Sequence, residues 1–179
     1  KYVLKFLARD DETGRIGTYE TKFVIPNLNK ELKRIPISSV VLSSQRVDLK
    51  DALYDAKKKD RAETTNPLVR DGRKLIPSVT RVFNRARPMY VYLQAYGAVT
   101  PVAPPLVAFV TLYQGQKKVL ETQPLAVTER LKTTVQTVPL EFNVALDKLP
   151  PGRYQCQVSV LDPSGQKAAF WQAPLMVVE

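Results

Sequence analysis

A period of two in the distribution of apolar residues constrains this chain more than any other feature. Over residues 137–146, TVPLEFNVAL, the residues Val138, Leu140, Phe142, Val144 and Leu146 alternate with others. Over 153–161, RYQCQVSVL, the alternating set is Tyr154, Cys156, Val158 and Val160. Over 88–97, PMYVYLQAYG, Met89, Val91, Leu93 and Ala95 alternate with Tyr90, Tyr92, Gln94 and Tyr96. Alternation of this kind sends one set of side chains to each face of an extended strand, so each segment has one apolar face that must be covered. Segment 106–113, LVAFVTLY, is apolar and β-branched. Gln114-Gly115-Gln116 and KVLE at 118–121 follow it, as in a hairpin. With 75–83 and 167–178 the total is about seven short strands separated by turn residues.

That spacing predicts an all-β chain: an immunoglobulin-like antiparallel β-sandwich over 75–179. One motif sharpens the expectation. Leu149-Pro150-Pro151-Gly152-Arg153-Tyr154-Gln155-Cys156 places Tyr154 two residues before Cys156 at a strand start. This is the spacing of a tyrosine corner, whose hydroxyl caps backbone groups of the preceding turn. Cys156 is the single cysteine, so no intrachain disulfide can form, and it reads as a small inward hydrophobe.

The N-terminal segment echoes this one. Tyr2 to Asp10 repeats the Tyr-to-Asp spacing of Tyr154 to Asp162, with Leu4 where Cys156 stands, and a glycine-containing turn follows in both (Gly14, Gly165). Residues 1–27 are therefore expected to form a β-hairpin, the end of a truncated upstream sandwich. A hairpin alone is marginal in water, so it should pack on the main domain or pair with a second copy. Chain start at Lys1 rather than Met fits a portion or processed form of a longer product. Residues 28–74 read as a connecting segment with a short strand in 36–44. Its residues 48–63, DLKDALYDAKKKDRAE, form a charged loop or a short surface helix.

The chemistry open to this chain is narrow. It has no histidine, which removes the commonest general base and metal ligand and every His-dependent triad or zinc site. There is no phosphate-binding glycine loop, no nucleophile elbow and no EF-hand loop. Asp162-Pro163-Ser164-Gly165-Gln166 lacks the second serine of a DxSxS metal motif and suits a turn. Asp10-Asp11-Glu12 reads as solvated turn charge, short of the six or more oxygens calcium needs. Neither a catalytic residue, a metal ligand nor a cofactor is expected, and no apolar run reaches the roughly 20 residues of a membrane-spanning helix.

What remains is binding. Net charge is +10, of which +9 falls in residues 1–87. Lys57, Lys58, Lys59 and Arg61 form the densest basic run and are candidate polyanion contacts, and the basic N-terminal half makes cell-envelope polyanion or carbohydrate binding the alternative function. They lack the interleaved aromatics of a nucleic-acid motif, and a solvated surface is the competing reading. Tyr90, Tyr92 and Tyr96 share one strand face and are a candidate interaction surface, either covered within the chain or free to meet a partner.

Ser39-Val40-Val41-Leu42-Ser43-Ser44, Asn66-Pro67-Leu68-Val69, Leu75 to Phe83, Met89-Tyr90-Val91-Tyr92 and Leu149 to Tyr154 resemble the C-terminal region of bacterial von Willebrand factor A-related domain proteins of the acidobacterial type. The resemblance spans most of the chain and rests on turns and strand cores. It implies an exported protein, secreted or in the periplasm or cell envelope, with an adhesion or assembly role and a protein or adjacent domain as partner. The metal-binding A-type domain of such proteins has no counterpart here, so no metal site carries over.

Overall fold

A computed structural model describes residues 1–25, 27, 33–48, 66–97, 106–127 and 136–179. The described residues form strands and no helix. The charged segment 48–63 falls almost wholly outside them.

Two strands, β1 (Tyr2–Arg9) and β2 (Ile16–Phe23), make a separate two-stranded sheet. The rest lies in two larger sheets. One contains β3 (Val41–Asp48), β4 (Val69–Arg70), β5 (Arg73–Pro77), β7 (Met89–Gly97) and β11 (Gln136–Val144), in the order β11-β7-β3-β5-β4. The other contains β6 (Val82–Asn84), β8 (Leu106–Gln114), β10 (Leu125–Val127), β12 (Gly152–Asp162) and β13 (Lys167–Val178), in the order β10-β8-β12-β13-β6. Strand β9 (Lys117–Glu121) also pairs with β8. All pairings are antiparallel except β6 with β13.

The sheets share one core, which makes the fold a β-sandwich. Met89, Val91, Leu93 and Ala95 of β7 meet Val138, Leu140, Phe142 and Val144 of β11 on one side. Ala108, Val110 and Leu112 of β8 and Cys156, Val158 and Val160 of β12 close the other. The inward residues of β7 and β12 are 0–3% exposed, as their alternation dictates. Leu146 continues the pattern past the end of β11 and is fully buried. Pro139 is tolerated within β11 because, among the described strands, β11 is an edge with β7 alone beside it.

Three expectations shift. Segment 75–83 is two strands in different sheets: β5 ends at Pro77 and β6 begins at Val82. Between them Arg81 adopts φ +54°, and Ser78 Oγ accepts its amide at 3.2 Å, a turn that carries the chain from one sheet to the other. The sandwich also starts earlier than residue 75. Strand β3 pairs with β7 from Val41↔Tyr92 to Ser43↔Tyr90, and β5 pairs with β3, so 41–48 and 69–77 belong to the sheet and not to a connector. With short β9 and β10 as well, the two sheets hold six and five strands, more than the expected seven in total.

Candidate functional site

The tyrosine face of β7 sits where alternation places it, opposite the core, and the chain itself covers much of it. Tyr92 is 6% exposed, while Tyr90 and Tyr96 are half-buried. Cover comes from three directions. Segment 36–38 runs along the end of β7: Tyr96 N donates to Pro36 O at 2.9 Å, Ser38 N to Gln94 O at 2.8 Å, and Gln94 N to Ser38 Oγ at 2.9 Å. From β3, Arg46 places its guanidinium 5.5 Å from the centre of the Tyr90 ring. From β11, Glu141 stands in register with Tyr92 and forms an ion pair with Arg46, so the pair straddles β7. Both of its side chains are less than a third exposed.

Burial raises the Tyr92 phenol above its usual range, against a smaller opposing hydrogen bond with Gln94, and burial likewise raises Tyr96. The arrangement holds two aromatic hydroxyls neutral at physiological pH under a paired roof. Such a face supports packing.

Tyr154 is 3% exposed, and its hydroxyl donates to Pro150 O at 2.6 Å, four residues upstream across the Pro150-Pro151-Gly152 turn. This is the hydrogen bond of a tyrosine corner. Cys156 is fully buried between the sheets, and burial pushes its thiol up to about 12. A thiol so placed has almost no thiolate at neutral pH, so it packs without reacting. Lys57, Lys58, Lys59 and Arg61 lie outside the described residues.

A groove of about 710 Å³ among the described residues runs between the β9–β10 connection and the end of β11. Its walls include Glu121, Glu141 and Asp147, from three separate segments. The Glu121 carboxyl is held below its ordinary range by hydrogen bonds from Lys118 and Thr111, so it is committed locally. Among the described residues no group of three or more carboxylate, cysteine or histidine side chains is placed to hold a metal. No described helix is long and apolar enough to cross a membrane.

Among the described residues, exposed large apolar side chains concentrate on the first hairpin, and sequence reasoning expected that surface to be covered. Tyr2, Val3, Leu4, Phe6, Leu7, Ile16, Tyr19 and Phe23 are 45–65% exposed, and both sheet faces are open. Little holds the hairpin beyond its own ladder, a Tyr2–Phe23 ring stack at 5.7 Å and a Lys5–Glu20 ion pair at 3.5 Å. At its tip Asp10 Oδ1 accepts the amides of Glu12 and Thr13 at 2.9 and 3.1 Å, which lowers the Asp10 carboxyl below its usual range. The acidic tip is thereby explained as a turn device.

No protein-family model matches the chain, and no characterised protein matches it significantly.

Proposed function

We propose that the chain is a non-catalytic interaction or spacer module of an exported bacterial multidomain protein, and that its contact surface is the first hairpin. One observation carries the reading: large apolar side chains are concentrated and exposed on β1 and β2, while the sandwich buries most of its own and exposes only scattered ones such as Val79 and Phe170. Monomeric proteins seldom leave so much contiguous apolar surface in water unless something covers it. The sandwich is proposed to be of the immunoglobulin-like type common in such spacers. In support, β7 pairs β11, β8 pairs β12, β12 pairs β13, and β6 runs parallel beside β13, the neighbour relations of the B–E, C–F, F–G and A′–G strands of that fold. The likeness to the C-terminal region of von Willebrand factor A-related proteins supplies the exported setting.

The test places a photo-crosslinking amino acid at Phe6 in the protein as its own cells make it, with Phe170 of β13, equally exposed, as the comparison site. The expected result is an envelope or extracellular location and protein adducts at Phe6 that survive about 0.5 M salt, where surface charge is screened within a few ångströms. A cytosolic protein without Phe6 adducts would refute the reading. Salt-sensitive retention on a polyanion in place of adducts would favour a polyanion-binding role for the basic N-terminal half.

A further inference from the structure

The two terminal hairpins are the same object. In β1–β2 the register runs from Tyr2↔Phe23 to Arg9↔Ile16, and in β12–β13 from Gly152↔Val177 to Asp162↔Lys167. A single step of 152 residues converts every pair of the first into a pair of the second: Tyr2↔Phe23 into Tyr154↔Leu175, Leu4↔Thr21 into Cys156↔Ala173, Phe6↔Tyr19 into Val158↔Trp171. The tips agree as well. Asp10 Oδ1 accepts the amide of Thr13, and Asp162 Oδ1 accepts that of Gly165, one step on. Left-handed backbone falls at matching positions, φ +68° at Gly14 and φ +50° at Gln166. The conformational partner of Gly14 is therefore Gln166 and not Gly165. Unrelated hairpins agree in register or in turn, and seldom in register, loop length, capping aspartate and αL position together.

The environments differ completely. Tyr154, Cys156, Val158 and Leu175 are 0–4% exposed, and their counterparts Tyr2, Leu4, Phe6 and Phe23 are 45–60% exposed. Resting on the contact reading above, we infer that β1–β2 is the closing hairpin of another sandwich of this kind. That sandwich is carried ahead of it in the same polypeptide, and its sheet faces cover Tyr2, Leu4, Phe6 and Phe23. A second copy of this chain is a poorer occupant. The place such a hairpin takes, beside β8, is already filled in each copy by β12 from Gln155↔Tyr113 to Leu161↔Val107. The 152-residue step is then the length of one unit of a tandem array. Tyr2 would make the corner bond of Tyr154, its acceptor lying four residues before it, in the preceding unit's turn.

The test compares hydrogen exchange of hairpin amides in the 179-residue chain and in the polypeptide extended by one step, about a domain length, of what its gene encodes before Lys1; a gene that encodes no such segment overturns the inference. Exchange in the extended polypeptide should slow by about 100-fold or more, the signature of amides that open only with a folded unit. There, Phe6→Asp should abolish the protection and lower the melting temperature of the preceding unit alone. Lys5→Ser, on the opposite face, should leave both unchanged, and Phe6→Leu should restore stability if the aspartate variant fails to fold. Equal exchange in the two polypeptides overturns the inference. So does protection in the 179-residue chain that rises with concentration alongside a sedimenting dimer, which would make a second copy the occupant. Phe6 adducts to a separate protein, with no protection in the extended polypeptide, would overturn the tandem arrangement while leaving the contact reading standing.

Discussion

Replacing Tyr154 with phenylalanine isolates one hydrogen bond at the core's edge. The ring stays, so packing against the sandwich core is retained and no sizeable cavity opens. What is lost is the 2.6 Å bond from the hydroxyl to Pro150 O. Such a bond contributes about 1 kcal/mol net, and stranding a buried acceptor adds to that. Pro150 is exposed, so water can re-solvate part of its carbonyl, and the cost should stay near the lower end, about 1–1.5 kcal/mol. For a unit of this size that is a fall in Tm of about 3–5 °C. Urea unfolding followed by tryptophan fluorescence reads it directly, since Trp171, the single tryptophan, lies on β13 beside β12. The midpoint should move with the slope unchanged. Tyr19→Phe, on the exposed hairpin, is the control and should be silent. A Tyr154→Phe variant within about 0.3 kcal/mol of the parent, well inside the usual effect of a surface change, would refute the corner argument.

Three further outcomes follow from the same geometry. Tyr92→Ala should cost about 2–4 kcal/mol through the cavity it leaves, with the sedimentation coefficient unchanged. A change in oligomeric state without loss of stability would instead make the tyrosine face intermolecular. Cys156 should resist thiol reagents until the protein unfolds, and it should also set a pH slope. Its folded value of about 12 lies above the ordinary 9.0, so its contribution is full below pH 9 and is lost as pH rises towards 12. The parent should lose up to about 1.4 kcal/mol per pH unit there, and Cys156→Ala should lose the part of that slope that begins below the tyrosine range. The Asp10 carboxyl, followed by NMR, should titrate below its ordinary value of 3.8, and the tip should loosen as pH falls through that lower midpoint. Titration at or above 3.8 would contradict the turn geometry.

The sequence made some strands plain and hid others for physical reasons. Strands β7, β11 and β12 were legible because each buries every second side chain between two sheets, and Tyr154 was legible because its turn and its strand are adjacent in sequence. Strand β3 was not. A register shift between Ser43 and Gln45 breaks its alternation, and Ser43, fully buried, looks polar in sequence although its hydroxyl donates to strand carbonyls. The β4–β5 hairpin could have been found. Asp71-Gly72 takes φ +52° and +70°, the double left-handed turn that Asp-Gly dipeptides favour. Strand β6 is three residues long and changes sheets at Arg81, which no periodicity can signal. Burial of Tyr92 depends on Arg46 and Glu141, 46 and 49 residues away along the chain, so alternation could give its face and not its cover.

The one parallel pairing has a mechanical meaning. Strand β6 lies beside the last strand, with Val82, Phe83 and Asn84 opposite Met176, Val177 and Val178, flanked by bonds from Met176 N to Arg81 O at 2.9 Å and from Arg85 N to Val178 O at 2.8 Å. Tension applied before β6 and after β13 pulls these two strands past each other lengthwise. The bonds between them then resist together, in shear, and do not open one at a time as a zipper would. A unit wired this way transmits stretching force along its own edge while its core stays shut.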